Sequence, residues 1–390
     1  MGAESERGVE LGGTGQAPNL QELRETGQAP NLQDRPLLTG PQTVHVDLVN
    51  ACNTACLSCW HHSPLRPRAE ADWQRRRFSL QRFSRLLDEL EALGGLEQLI
   101  LSGMGEPTLH PELPELVARV ARLGVAREQQ ALGEQAKKAL LCVITNGLWE
   151  RSSWLSQGLR LELLVSLCAW DRESWLRFHA GTPPDGFERV QRNVAAALEL
   201  GHQVKLVQVI HHEHHHGLVE MVKLAKAWGV GQCSFKLASL DDATRDLAMS
   251  PEQRRECLQR HLPRARGVAL ALGVKTDLEG FEAQLQSADD AGRIAPIEDI
   301  GCHLGQRYAR VDVDATVYFC CNTNLAIGSL DEHGFAELWQ GHRWWTLRES
   351  LARGQFFEGC ERCGKVKQNL KLAKAARAAA RIAQAHSGSE

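Results

Sequence analysis

The sequence predicts an α/β chain: a partial barrel of six βα units over residues 43–295, then a small α+β unit over residues 296–368. Three observations carry this expectation. From Thr43 onward short β-rich runs alternate with longer helical patterns, the mark of stacked βα units around a parallel sheet. Six such runs precede Pro296, too few for a closed eight-stranded barrel. Beyond it the pattern becomes two strands joined by a tight turn, followed by helices.

In chain order, residues 1–42 read as a disordered tail, rich in Gly, Gln, Pro and Asn and without apolar periodicity. TGQAPNLQ occurs there twice, from Thr14 and from Thr26, a duplicated fragment with too few copies for a solenoid. The expected strands are Val44–Val49, Gln98–Ser102, Leu141–Thr145, Glu162–Leu167, Val204–Ile210 and Cys233–Ala238. Helical stretches between them include Leu80–Leu93, Pro111–Leu123 and Phe187–Leu200. In the last, Phe187, Val190, Val194 and Leu198 recur at helical spacing and should face the sheet. The hydrophilic insert Arg127–Lys138 extends a helix or loop ahead of the third strand. Glu252–Leu272 reads as helix interrupted at Pro263. Tyr308–Asp312 and Thr316–Cys320 are the two later strands, turned at Val313–Ala315, with helices at Phe335–Trp339 and Trp344–Leu351. Residues 369–390 form a basic, Ala-rich helical tail, read as solvated.

Composition narrows the function. The chain has 390 residues, 43% hydrophobic and 24% charged, with a formal net charge of -3. That balance gives no electrostatic reason for a nucleic acid or an anionic membrane as partner. No apolar run approaches the ~20 residues of a membrane span, and the amino terminus lacks a basic start followed by an apolar stretch. A cytoplasmic location is therefore expected. There the twelve cysteines would stay reduced, which favours metal binding or catalysis over disulfides.

Their spacing sorts them. Cys52, Cys56 and Cys59 form C-x3-C-x2-C directly after the first strand, at the end of the sheet where loops converge on one mouth. A four-iron cubane takes four protein ligands, so three neighbouring thiolates leave one iron open to a small molecule. The competing reading is a zinc site completed by His61 or His62.

C-x3-C-x2-C after the first strand of a βα array resembles the radical S-adenosylmethionine (radical SAM) superfamily. The resemblance implies a four-iron–four-sulfur (4Fe–4S) cluster that binds S-adenosylmethionine through its open iron. It further implies reductive cleavage to a 5′-deoxyadenosyl radical that abstracts hydrogen from substrate, with a reductant such as flavodoxin or ferredoxin. The family often has an aromatic residue just before the third cysteine; here that place is Ser58 and the aromatic is Trp60. Gly103, Gly105, Glu106 and Pro107, after the second strand, resemble the family segment whose glycine backbone and acid meet the methionine amino group. Asn146 and Ser166, at the ends of the third and fourth strands, are by the same resemblance contacts to the sulfonium end or ribose. Asn146-Gly147 is also ordinary turn chemistry. Asp171, His179 and His211 are candidates for proton transfer. The run HHEHHH, His211–His216, follows the fifth strand; a loop of solvated histidines explains it more cheaply than a metal site.

Cys302, Cys320, Cys321, Cys360 and Cys363 make a second group. Their order, a cysteine, a hairpin to a second, then a helix to C-x2-C, resembles the SPASM and twitch extensions of that superfamily. The family hairpin has Gly five positions before the second cysteine, where this chain has Ala315. No cysteine follows Cys363, so the resemblance implies one auxiliary 4Fe–4S cluster on Cys302, Cys320, Cys360 and Cys363. Cys321 is its neighbour and a possible substitute. A zinc ribbon is the competing reading. Cys142, Cys168, Cys233 and Cys257 read as buried apolar residues. Together these features point to carbon–hydrogen abstraction on a small polar natural product or a ribosomal peptide: oxidation, epimerisation or cross-linking. The alternative is a noncatalytic iron–sulfur or zinc protein with a structural or electron-transfer role.

Overall fold

A computed structural model describes residues 39–131, 140–289, 297–321, 324–366 and 368–374. The duplicated tail fragment, residues 132–138 of the hydrophilic insert, the expected boundary at 295–296 and the last 16 residues lie outside this range.

Nine strands form one sheet: β1 Thr43–Asp47, β2 Gln98–Ser102, β3 Leu141–Thr145, β4 Leu161–Ser166, β5 Gln203–Ile210, β6 Cys233–Leu237, β7 Tyr308–Val311, β8 Thr316–Tyr318 and β9 Ala326–Ser329. The order across it is β9-β8-β7-β1-β2-β3-β4-β5-β6. Strands β1 to β6 are parallel and adjacent in chain order, as six βα units dictate. The later hairpin is not a separate sheet: β7 pairs in parallel with β1, Thr43 opposite Tyr308 and His45 opposite Arg310. Strand β9 has no counterpart among the expected strands. It spans four residues, one of them Gly328, and so offers little alternation to read.

The helices used below are α1 Leu80–Leu93, α2 Leu113–Ala121, α3 Arg172–Phe178, α4 Gly186–Glu199, α5 Leu218–Ala227, α6 Pro251–Glu256, α7 Leu262–Leu272, α8 Leu278–Ser287, α9 Phe335–Gln340 and α10 His342–Ala352; shorter or peripheral ones span Ala71–Gln74, Gly124–Ala131 and Ile297–Ile300. Helix α1 shows why they form. Ser79 caps it by accepting from Arg82 N, and Phe83, Leu86, Leu87 and Leu90 make a buried stripe at helical spacing. Each such side chain contributes about 1.5–3 kcal/mol of transfer free energy. In α4, Val190 and Val194 are buried, with Phe187 and Leu198 packed at the edge, as the spacing predicts.

Pro263 does not break its helix. The five residues ahead, Cys257–His261, form a π-turn, and α7 starts at Leu262. The wider turn accommodates a residue with no N–H to donate. Along each strand side chains alternate. Val44, Val46, Leu99 and Leu101 are buried in the core, while His45, Asp47, Ser102, Tyr308 and Arg310 meet one another on the opposite, lumen face. Helix α8 covers β6, where Gln284 accepts from Leu237 N.

The start of the terminal helix is docked, contrary to the solvated reading. Val366, Asn369 and Ala373 are buried, and Val366 and Leu370 pack with Ala283 and Ile300. No helix among the described residues is long and apolar enough to cross a membrane.

Candidate active site at the barrel mouth

The loop after β1 is held from both sides. A two-residue antiparallel ladder pairs Ala55–Cys56 with His179–Ala180, and Leu57 N donates to Phe178 O at 3.0 Å. On the other side Gly105 N donates to Val49 O at 3.0 Å and Glu106 N to Ala51 O at 2.8 Å. This explains the glycines. A Cβ on Gly105 would stand 1.9 Å from Ala51 O, and one on Gly103 2.4 Å from Val49 O.

Within the loop the sulfurs sit among donors. Thr54 Oγ1 lies 3.4 Å from the sulfurs of both Cys52 and Cys56. Cys59 Sγ accepts from the backbone of His61 at 3.4 Å and His62 at 3.3 Å. The His62 ring is turned away, 2.8 Å from Asn50 O. Burial pushes the Cys52 thiol up to about 11 and Cys56 well above its usual value. Uncompensated, these sulfurs hold their protons; a bound cation would remove them. Three clustered sulfurs, each beside a hydrogen-bond donor, fit an iron–sulfur cluster. Cys168 is buried, as its apolar character predicts. It also lies close enough to Cys56 to raise that thiol further, with φ 58°.

Glu106 is 2% exposed, and its carboxylate is spent inside the protein. Oε1 accepts from Thr108 N, Thr108 Oγ1 and Thr145 Oγ1 at 3.1, 2.8 and 2.7 Å. Oε2 accepts from Asn146 N at 2.7 Å. In this conformation the acid ties β2 to the end of β3. Asn146 continues the link, donating from Nδ2 to Asn53 Oδ1 at 2.6 Å, within the cysteine loop. Ser166 ends β4, its carbonyl 3.2 Å from His179 Nε2. Trp60 reaches across the mouth, Nε1 donating to Ser239 O at 2.6 Å. Arg66 pairs with Asp241.

Two of the proton-transfer candidates have structural partners. Asp171 caps α3, accepting from Ser174 N and Oγ, both at 2.8 Å. His179 is fully buried, stacked on Trp175 at 4.6 Å. The histidine run is solvated only in part: His216 is exposed, but His211 and His214 are buried, packed on Phe178 with ring centroids at 5.6 and 5.5 Å. The turn returns these rings onto α3, a contact between residues over 30 apart in sequence.

The second cysteine group lies beside the lumen face of β7, where the Tyr308 hydroxyl bonds Cys321. Cys360 Sγ accepts from Phe357 N at 3.4 Å; Cys363 Sγ accepts from Lys365 N at 3.4 Å and Asn369 Nδ2 at 3.8 Å. Burial pushes Cys360 up to about 11 and Cys363 to about 12. Cys321 differs. A hydrogen bond from Cys320 holds it down to about 5 despite burial, helped by Lys365, the Tyr308 hydroxyl and Arg310. It is near enough to raise both Cys302 and Cys363. These thiols with their amide donors also fit a cluster.

A polar path runs from the end of β1 to the second group, ending at the Tyr308 hydroxyl that bonds Cys321. Asp47 accepts from Arg310 Nε at 2.8 Å and from Ser102 Oγ at 3.2 Å. Ser102 also bonds His45, whose other nitrogen is 2.8 Å from the Tyr308 hydroxyl. A cavity of about 750 Å³ opens at the ends of β5 and β6. Ile210, Leu237 and Met249 line it with Asp241, Asp289 and Arg362; Arg362 lies between Cys360 and Cys363.

The family model described as the Radical SAM superfamily matches residues 46–225. A SPASM model, described as an iron–sulfur cluster-binding domain, matches residues 302–364. No curated protein matches the chain. Among solved structures it is similar to Streptococcus suis SuiB bound to S-adenosylmethionine: TM-score 0.58, 13% identity, covering 81% of this chain and 70% of that one. A SuiB structure with the precursor peptide SuiA gives 0.57, 14%, 80% and 67%. Native anSMEcpe with bound AdoMet and Cp18Cys peptide gives 0.59, 15%, 83% and 86%. At such identities the structures establish the fold, and the family models go further. The chain belongs to the radical SAM superfamily, and its cofactors are a 4Fe–4S cluster with S-adenosylmethionine and an auxiliary iron–sulfur cluster in its SPASM region.

Proposed function

We propose that this enzyme performs oxidative carbon–hydrogen chemistry on a peptide or polar natural product held between two clusters. Cys52, Cys56 and Cys59 would hold the first, leaving one iron for S-adenosylmethionine. Cys302, Cys320, Cys360 and Cys363 would hold the second, with Cys321 competing for a place beside Cys302 and Cys363. When bound, the cofactor pair supplies a 5′-deoxyadenosyl radical that takes a hydrogen atom from substrate. Gly103 and Gly105 bring backbone to the cysteine loop, Glu106 and Asn146 fix that loop against β3, and Ser166 stands at the end of β4. Asp47, Ser102, His45 and Tyr308 form a hydrogen-bonded path along which a proton can leave the substrate. Its electron would pass to the auxiliary cluster.

The observation that carries this reading is a cavity reached from both sides, by Arg66 after the first cysteine group through Asp241 and by Arg362 of the second. The cavity is bounded by the ends of β5 and β6 and by Arg362 of the second cysteine group. At about 750 Å³ it suits a ligand of drug size or a few peptide residues. SuiB bound to its precursor peptide SuiA and anSMEcpe bound to the Cp18Cys peptide share this fold, which favours a peptide here. Domain limits of 43–295 for the barrel and 296–368 for the auxiliary unit complete the proposal.

Anaerobically reconstituted protein, reduced with dithionite in the presence of S-adenosylmethionine, should form 5′-deoxyadenosine, measured by mass spectrometry. Cys56→Ala should abolish it. A fully loaded, reduced sample that forms none would favour a noncatalytic electron-transfer role.

A further inference from the structure

We infer that His211, Glu213 and His214, in the turn leaving β5, form a binding site for a zinc-class divalent metal ion beside the substrate cavity. The ligating atoms of the three lie within 4.8 Å of one another. His214 is 0% exposed and neither ring nitrogen has a hydrogen-bond partner. His211 is 1% exposed and its Nε2 has none. A buried polar atom left unbonded costs about 1–3 kcal/mol, and here three such atoms belong to two rings 4.4 Å apart. Packing explains the position of the rings but not their polarity: Phe178 stacks on His211 and Trp170 meets His214 edge-on at 5.9 Å. A metal ion supplies the missing partner.

The chemistry of the donors agrees. Burial holds His211 down to about 3 and His214 to about 4, so both rings are neutral near pH 7, the form that ligates. Ligation through His211 Nε2 moves that ring's proton to Nδ1 and gives up a long 3.3 Å contact from Glu213 N. Two imidazoles and one carboxylate at about 2.0–2.2 Å suit zinc and leave a fourth position. His211 also lines the cavity, so that position adjoins the space assigned to substrate. Glu213 is exposed and can turn inward. A neighbouring set, His215, Glu256 and His261, has similar spacing but lacks two buried rings, His261 being only half-buried. His215 Nδ1 is 2.6 Å from His212 O, and His261 Nε2 is 3.2 Å from Glu256.

The inference does not depend on radical chemistry. In the test, cluster-loaded protein is incubated with zinc sulfate, desalted and assayed for iron and zinc in the same sample. Full iron content shows that the cysteine sites are filled. The expected result is about one zinc per chain, held by N and O ligands in X-ray absorption, with the melting temperature raised by several degrees. Glu213→Gln and His214→Phe should each lose it, and His261→Gln should keep it. Glu213 is exposed, so its variant keeps the test sound if His214→Phe fails to fold. No zinc in iron-replete protein, sulfur ligation of the zinc, or zinc lost only with His261→Gln would overturn the inference.

Discussion

Gly105 and Glu106 adjoin in sequence but do opposite things. The first is absent side chain, letting the loop of β2 lie against Ala51; the second is a carboxylate that accepts four hydrogen bonds from β3 and its own turn. Gly105→Ala should cost about 1–3 kcal/mol through overpacking and lose iron from the first site while the second keeps its own, read by iron analysis. His110 behaves as a neutral clasp: Nδ1 accepts from Glu112 N at 3.2 Å and Nε2 donates to Phe78 O at 2.9 Å. Burial lowers its pKa below 6.5. The unfolded chain therefore binds the proton more readily, so this contribution is full above pH 6.5 and shrinks as pH falls below it. His110→Gln should flatten that part of the profile in urea unfolding followed from pH 7 to 5. The cysteines were legible because ligand spacing is local in sequence. The braces around Glu106 were not, because Thr145 and Asn146 lie some 40 residues away.

Among the elements, the turn between β7 and β8 is the one where the family's glycine is missing. Ala315 takes φ 65°, a left-handed conformation that costs an L-residue roughly 1–2 kcal/mol, and it is fully buried. Ala315→Val should therefore lose about 2 kcal/mol or more, from added strain and overpacking. Ala315→Gly should stay within about 1 kcal/mol of the parent, since relief of strain offsets lost burial and added chain entropy. Both are read from urea midpoints. The six strands of the barrel and helices α1, α2 and α4 were legible to within one or two residues because each carries its own periodicity; α3, α5 and α8 were not among the expected helices. Pro263 announces an interruption but does not say which kind, and the burial of His211 and His214 depends on α3, which periodicity cannot place.

At the scale of the molecule, the auxiliary unit is joined to the barrel rather than hung from it. Strand β7 extends the parallel sheet at β1, and the pair of Asp47 with Arg310 crosses that seam, both side chains largely buried. Asp47→Asn would strand a buried guanidinium and should cost about 3–5 kcal/mol, measured by denaturation and little changed by added salt. Sequence order revealed both cysteine groups; that the second is brought against the barrel depends on a strand pairing over 260 residues apart, which no local pattern records. The most direct measurement is electron paramagnetic resonance of the reduced, iron-replete protein with and without S-adenosylmethionine. The signal of one cluster should change on adding it, and replacing Cys52, Cys56 and Cys59 with alanine should remove that cluster and leave the other. A spectrum indifferent to S-adenosylmethionine, or one unaltered by the triple replacement, would contradict this account.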